Sequence, residues 1–206
     1  MAARIKLNKV SLRDQKKKLG MFRRFLPTLE ARKQQLLMQL TVVREKIKEQ
    51  QNDIDNLLKE ISEWSRLYWW LEKDIRFFVR IREVEVTISN VAGLKVPYFT
   101  GVVFEDTPYS IFATTYSLDE VIEKTRRLIS FREALKILEE QEKVLDAGFK
   151  KTSQRINLYE QRLIPDCRRS IRKISVYLQD QQAASVGVAK VAKRLTREAL
   201  DAITRG

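Results

Sequence analysis

The sequence predicts an all-α protein: a long antiparallel two-helix coiled coil formed by N- and C-terminal arms, with a small β-hairpin and a short helical segment between them. Apolar residues recur at alternating spacings of four and three along both arms, which is the pattern of a coiled coil. The 206 residues include only 6 Gly and 4 Pro, and 33% of them are charged beside 44% hydrophobic. This composition is typical of long, solvated, amphipathic helices.

The N-terminal arm, residues 1–82, carries the longer repeat. Its apolar positions keep one phase from Leu12 to Phe78 and are interrupted only by Gln15, Lys33 and Gln50. A period of 3.5 residues indicates a left-handed supercoil. At a rise of about 1.5 Å per residue, it also indicates a single elongated domain. The expected core positions include Leu19, Phe22, Leu26, Leu29, Leu36, Leu40, Val43, Ile47, Ile54, Leu57 and Ile61.

The connector, residues 83–116, has a different period. Val84, Val86 and Ile88 alternate with polar residues, and turn-forming residues follow at 90–93. Pro97 makes a central strand position unfavourable, because proline cannot donate to the ladder. A small β-hairpin is therefore expected, either packed against the helices or offering a contact surface.

The C-terminal arm, residues 117–206, begins with a predicted capping box between Ser117 and Glu120. Its repeat includes Leu135, Leu138, Leu145, Ile156 and Leu163, with Glu142 and Thr152 as polar interruptions, and then changes phase. After the change it continues through Cys167, Ile171, Ile174, Leu178, Val188, Ala192 and Leu195. Such a stutter locally unwinds a supercoil.

Two prolines interrupt the arms. Pro165 lies within the change of phase, where a proline removes a hydrogen bond and bends the helix. If the arms fold back near Phe78 and Glu120, Pro27 lies opposite a position near residue 171, which predicts one shared bend. The alternative is that Pro27 begins the long helix and residues 4–26 form a separate short one.

The residue inventory predicts no enzyme, no cofactor and no metal. The chain has no His and a single Cys, Cys167, so the usual nitrogen ligand and neutral-pH general base are missing. Its glycines lack the spacing of a phosphate-binding loop. Cys167 takes a core position and is expected to be inert, and Trp64, Trp69 and Trp70 are expected to pack in a core or against a partner.

The formal net charge of +13 attracts acidic proteins, nucleic acid or anionic lipid. The basic residues cluster near the two chain ends, and an antiparallel pair would bring the clusters together at one tip; a merely solvated helix end is the alternative. We found no apolar run long enough to span a membrane and no signal-peptide pattern, which predicts a cytoplasmic protein. The clusters are Lys9, Arg13, Lys16, Lys17, Lys18, Arg23 and Arg24, and Lys190, Lys193, Arg194, Arg197 and Arg205.

One motif in the closing arm is specific. Arg155, Asn157, Glu160, Ile164 and Pro165 form an R-x-N-x-x-E-x-x-x-I-P run. With the heptad arms and the β-like connector, this run resembles the D subunit of the V-type (archaeal and bacterial A/V-type) rotary ATPases over nearly the whole chain. The sequence departs from the family's Asn-Pro-Thr-Arg opening at residues 8–11 and from its acidic stretch at residues 179–182, as in a divergent bacterial branch.

The resemblance implies a non-catalytic central rotor shaft that transmits torque between ATP hydrolysis or synthesis and ion translocation. The implied partners are the catalytic hexamer of A and B subunits, the F subunit and a membrane-side rotor socket, without nucleic acid and without direct membrane insertion. The protein would be cytoplasmic and peripheral to the membrane. The expected hexamer contacts are Lys9, Arg13, Lys16, Lys190, Lys193 and Arg194, with Pro27 and the motif residues marking a bend of the shaft. A basic coiled-coil protein that binds nucleic acid, or a scaffold, is the alternative.

Overall fold

A computed structural model describes residues 6–65, 72–105 and 118–204. It confirms the predicted fold class, with long helices in both arms and a two-stranded antiparallel hairpin with a short helix between them. The elements are α1 (Lys9–Ser65), α2 (Glu72–Phe78), β1 (Ile81–Val91), β2 (Leu94–Phe104), α3 (Leu118–Leu158), a π turn (Tyr159–Leu163) and α4 (Ile164–Thr204).

The chain divides into two compact units. We call Ala31–Ser153 the hairpin unit, and Met1–Glu30 with Gln154–Gly206 the terminal unit. Whether arms and connector act as one elongated domain stays a prediction.

Helix α1 begins at an N-cap and runs through its proline. The Asn8 side-chain Oδ1 accepts a hydrogen bond of 2.7 Å from the Ser11 backbone N–H, which satisfies one of the unpaired amides of the first turn. Pro27 lies inside α1. The alternative in which Pro27 begins the long helix is therefore wrong.

In the hairpin unit, α1 and α3 run antiparallel. Arg44 Nε lies 2.6 Å from Glu142 Oε1, and Lys124 Nζ lies 2.8 Å from Glu60 Oε1. The core joins Leu36, Leu40, Val43 and Ile47 of α1 to Leu145 of α3. All five are positions predicted from the heptad repeat.

The hairpin forms a third layer on this helix pair. Val96, at the middle of β2, is completely buried against the α1–α3 core, so the prediction that the hairpin packs on the helices is confirmed. On α3, Ala134 and Gln141 are buried, whereas the predicted Leu135 and Leu138 are only partly so.

Both ends of the hairpin are anchored. At its base, Arg126 Nη2 donates to the Phe78 backbone O at 2.9 Å, and its guanidinium lies 5.2 Å from the centroid of the Phe104 ring. Near its turn, the Leu94 side chain packs directly on Gly148 of α3. A side chain at position 148 would occupy the same space.

The register of the two strands explains the tolerated Pro97. Pro97 pairs with Ile88 in a two-stranded sheet, where the outer edge of β2 has no ladder partner among the described residues. The pairing shifts between Glu85 and Val86, leaving Thr100 as the extra residue of a β-bulge. Its hydroxyl lies 3.0 Å from that of Thr87.

The hairpin turn consists of Ala92 and Gly93, both at positive φ, 49° and 79°. Two-residue hairpin loops favour this left-handed geometry, but it is costly for any residue with a Cβ branch. We expect Ala92→Val to lower the free energy of unfolding by about 1–2 kcal/mol. We expect Ala92→Gly to stay within about 0.5 kcal/mol, since relief at φ offsets lost contacts and added chain entropy. Urea denaturation followed by circular dichroism checks both, and equal losses would contradict the assignment of the effect to φ.

The ion pair between Glu60 and Lys124 predicts a pH effect. The hydrogen bond from the Lys124 ammonium lowers the pKa of Glu60 below its ordinary value of 4.5. Its stabilising contribution is therefore present above pH 4.5 and is lost as the pH falls through the lowered pKa. Denaturant titrations should show Glu60→Gln to be less stable than the native chain at pH 7 and equal to it in acid. Glu49→Gln, which removes an exposed carboxylate of the same helix, is the control, and a difference independent of pH would contradict the prediction.

In the terminal unit, the ring of Phe22 stacks on Tyr159 with centroids 5.3 Å apart. This pairing places Pro27 opposite about residues 154–158. The predicted partner position near residue 171 is therefore wrong, because the arms pair in a different register. A bend shared by the two prolines stays a prediction.

Candidate interaction surface on the terminal unit

The predicted contact residues all lie on the terminal unit and all are exposed. The structure does not bring them together at one level. Because Phe22 faces Tyr159, Lys9 lies opposite about residues 172–176, and Lys190 lies about 25 Å further along α4. The expectation that the two clusters meet at one tip is wrong, since α4 continues past the first residue of α1.

The basic residues near the start of α1 instead lie at the level of a second group on α4, Arg168, Arg169, Arg172 and Lys173. All four are exposed, and Arg169 pairs with Asp166. Sequence reasoning missed this group because it is interleaved with the apolar positions Cys167, Ile171 and Ile174. Counting cations between core positions would have found it.

Beyond this level, every residue of α4 from Gln179 to Glu198 is exposed. We call this stretch the free α4 segment. Val188, Val191 and Leu195 follow each other at spacings of three and four and share one face, and they are 71%, 50% and 56% exposed. The sequence repeat placed Val188 and Leu195 in a core, and that prediction is wrong, because no described residue covers them.

The opposite face of the free α4 segment is cationic. At 100° per residue, Lys190, Lys193 and Arg197 lie on the side away from the apolar stripe, and Arg194 lies at the edge of the stripe, next to Val191. Arg194 Nε lies 3.5 Å from Glu198 Oε1, and both side chains are largely exposed. A helix with one apolar and one basic face, uncovered by the described residues, is suited to a protein surface that offers both apolar and acidic groups.

The family-motif residues lie beside the π turn. Arg155, Asn157 and Glu160 are exposed, Ile164 is buried and Pro165 is half-buried. The motif therefore combines an apolar anchor with polar groups that face outward.

The described part of the terminal unit offers little for chemistry. Burial raises the pKa of the Cys167 thiol, with the nearby Lys18 charge acting in the opposite direction. A protonated thiol in a core is a poor nucleophile. Among the described residues, no group of three or more acidic or Cys side chains could hold a metal ion. Likewise, none of the described helices has the length and apolar character needed to cross a membrane.

Some predictions fall outside what the structure describes. They concern Ser117 as a helix cap, the packing of the Trp64, Trp69 and Trp70 side chains, and the Arg205 charge. Glu120, the other half of the predicted capping box, pairs with Lys124 at 2.9 Å.

Fold and surface together define a paired-helix protein with an amphipathic helical segment that the described residues leave uncovered. The family model for the ATP synthase D subunit matches residues 11–194. The chain belongs to this family, which confirms the resemblance read from the motif.

Curated relatives agree over almost the whole length. The chain is 37% identical over 192 residues to the V-type ATP synthase D subunit of Borreliella burgdorferi, covering 93% of this chain and 94% of that protein. It is 27% identical over 197 residues to the protein of the same name from Chlamydia caviae, covering 94% of each. Membership of the family makes the chain a non-catalytic subunit of a rotary ATP synthase complex.

Proposed function

We propose that this chain is the central rotor shaft of a V-type ATPase. In this role it transmits torque between ATP hydrolysis or synthesis in the catalytic hexamer of A and B subunits and ion translocation by the membrane rotor. The F subunit and a membrane-side socket protein are its other partners, and the chain is cytoplasmic and peripheral to the membrane. The heptad-packed helix pair supports this role, because two helices locked side by side resist bending and twisting better than one.

The observation that carries the proposal is the exposure of α4 from Gln179 to Glu198. Twenty helical residues with an apolar stripe and a basic face need a covering surface that the described residues do not supply. We assign this surface to the cavity of the catalytic hexamer, where Lys190, Lys193 and Arg194 meet acidic or carbonyl-rich loops. Lys9, Arg13 and Lys16 make a second level of contact, with Arg168, Arg172 and Lys173 beside them. Exposed contacts of this kind are individually weak, as a shaft that changes position requires.

The direct test attaches a bead to this chain in a complex whose catalytic subunits are fixed to a surface. We expect ATP to drive rotation of the bead. A bead that stays fixed while ATP is hydrolysed would contradict the shaft role.

A second experiment tests the basic residues of the free α4 segment. We expect the triple substitution Lys190→Glu, Lys193→Glu and Arg194→Glu to lower ATP turnover coupled to ion movement by about tenfold, because like charges would face the acidic loops. The matched control reverses three exposed lysines of the hairpin unit, Lys46, Lys48 and Lys59. Unchanged coupling in the α4 triple variant, or an equal loss of coupling in that variant and in the control, would contradict the assignment. Salt-sensitive binding of nucleic acid by the free chain, with no capture of ATPase subunits, would favour the alternative function.

A further inference from the structure

The helix of the C-terminal arm contains one residue more than its core packing uses. Buried positions fall at Gln141, Leu145, Thr152 and Ile156, and then at Ile164, Cys167 and Ile174. Ile156 and Ile164 are eight residues apart, whereas a heptad would place the corresponding core positions seven apart. The residues after the π turn therefore pack one position later than the repeat before it.

The π turn accommodates this surplus residue. The backbone N–H of Ile164 bonds to the Tyr159 O, five residues back, where an α-helix would bond to Glu160. Pro165 follows directly and has no N–H to commit to either pattern. The wider turn takes up one residue, so Ile156 before it and Ile164 after it are both buried.

No side chain between Asn157 and Leu163 is buried. Moving the wide turn within this stretch exchanges i−5 for i−4 hydrogen bonds and exposes no fully buried residue. Among the described contacts, it would disturb the stacking of the half-buried Tyr159 on Phe22, which is lost if the turn moves ahead of Tyr159. Moving it past Ile164 would place Leu163 where Ile164 is now buried, and moving it further, past Cys167 and then Ile174, would bury Asp166 and Lys173 in their places. Moving it back past Ile156 would bury Asn157 instead. The core thus confines the surplus residue to a window of seven residues.

We propose that residues 157–163 form a torsionally soft joint, in which the surplus residue migrates between Ile156 and Ile164 while the core on either side stays fixed. Each migration step lets the intervening turn rotate about the helix axis. The joint sits beside Phe22, whose ring rests on Tyr159, the first residue of the π turn. The existence of the joint does not depend on the proposed function; only the role of absorbing twist in a loaded shaft rests on it.

Hydrogen exchange on the full-length chain tests the joint. We expect amides of residues 157–164 to exchange about tenfold faster than those of the flanking helix at Leu145–Ile156 and Cys167–Ile174. Deletion of Gln161 removes the surplus residue and leaves Ile156 and Ile164 one heptad apart. In that variant the window should exchange at the flanking rate, and the melting temperature should not fall.

A deletion of Arg172 is the matched control. It also removes one exposed residue, but it moves Ser175 into the position of Ile174, so we expect a clear loss of stability. The proposal is overturned if the native window exchanges no faster than its flanks, if deletion of Gln161 leaves exchange unchanged, or if that deletion destabilises the chain as much as the loss of Arg172. Because exchange is measured on the chain alone, this result is independent of whether the bead rotates.

Discussion

Replacing Leu36 by alanine is expected to lower the free energy of unfolding by about 2–5 kcal/mol. Leu36 is completely buried where α1, α3 and the hairpin meet, in contact with a core that includes Val96 and Leu145. Truncation there removes apolar burial and leaves a cavity that three rigid elements cannot close. Denaturant unfolding of the full chain, followed by circular dichroism, measures the loss.

The next residue provides the control for this prediction. Leu37 is 48% exposed on the same helix, so Leu37→Ala makes the same chemical change without creating a cavity. We expect it to cost less than about 1 kcal/mol. Similar losses for the two variants would mean that helix propensity, and not the three-layer core, determines the stability of this region.

The second large effect is expected at Gly148. A Cβ at this position would overlap the Cδ1 methyl of Leu94, whereas a Cβ at Gly20 would meet nothing within 4 Å. Alanine favours a helix over glycine by about 0.5–1 kcal/mol, so we expect Gly20→Ala to stabilise the chain by that amount. We expect Gly148→Ala to destabilise it by about 1–3 kcal/mol, because either the Leu94 side chain must leave its present rotamer or the hairpin turn must move away from α3.

A double variant separates the clash from other effects. Leu94→Ala removes the methyl that Gly148→Ala would strike, so the two changes together should cost less than the sum of their separate costs. Additive losses, or stabilisation by Gly148→Ala alone, would show that the hairpin does not lie against α3 at this point.

The α1 side of the core could be predicted because one physical signal dominates there. Leu36, Leu40, Val43, Ile47, Ile54 and Leu57 were all expected from the repeat, and all are buried. On α3 the same reasoning was less accurate: Gln141 is buried next to the predicted Glu142, in a unit where the hairpin packs on the helix core as a further layer. A periodic pattern records that a face is covered, but it does not record how many neighbours cover it.

The surface was predictable in composition but not in placement. The exposure of Lys9, Arg13, Lys190 and Lys193 follows from their charge. Their levels along the helices depend on the pairing register, which a fold-back point estimated from sequence fixes only loosely. The free α4 segment shows a further limit, because an apolar repeat that no described residue covers looks the same in sequence as one that packs within the chain.

The antiparallel pairing also has a consequence for synthesis on the ribosome. Arg44 and its partner Glu142 are 98 residues apart, so the apolar stripe of α1 emerges long before α3 exists. At translation rates of about 5–20 residues per second, this stripe waits roughly 5–20 s for its partner. During that interval no part of α3 is present to cover the stripe. Strand pairing within the hairpin needs a much shorter wait, because β1 and β2 follow each other directly in the sequence.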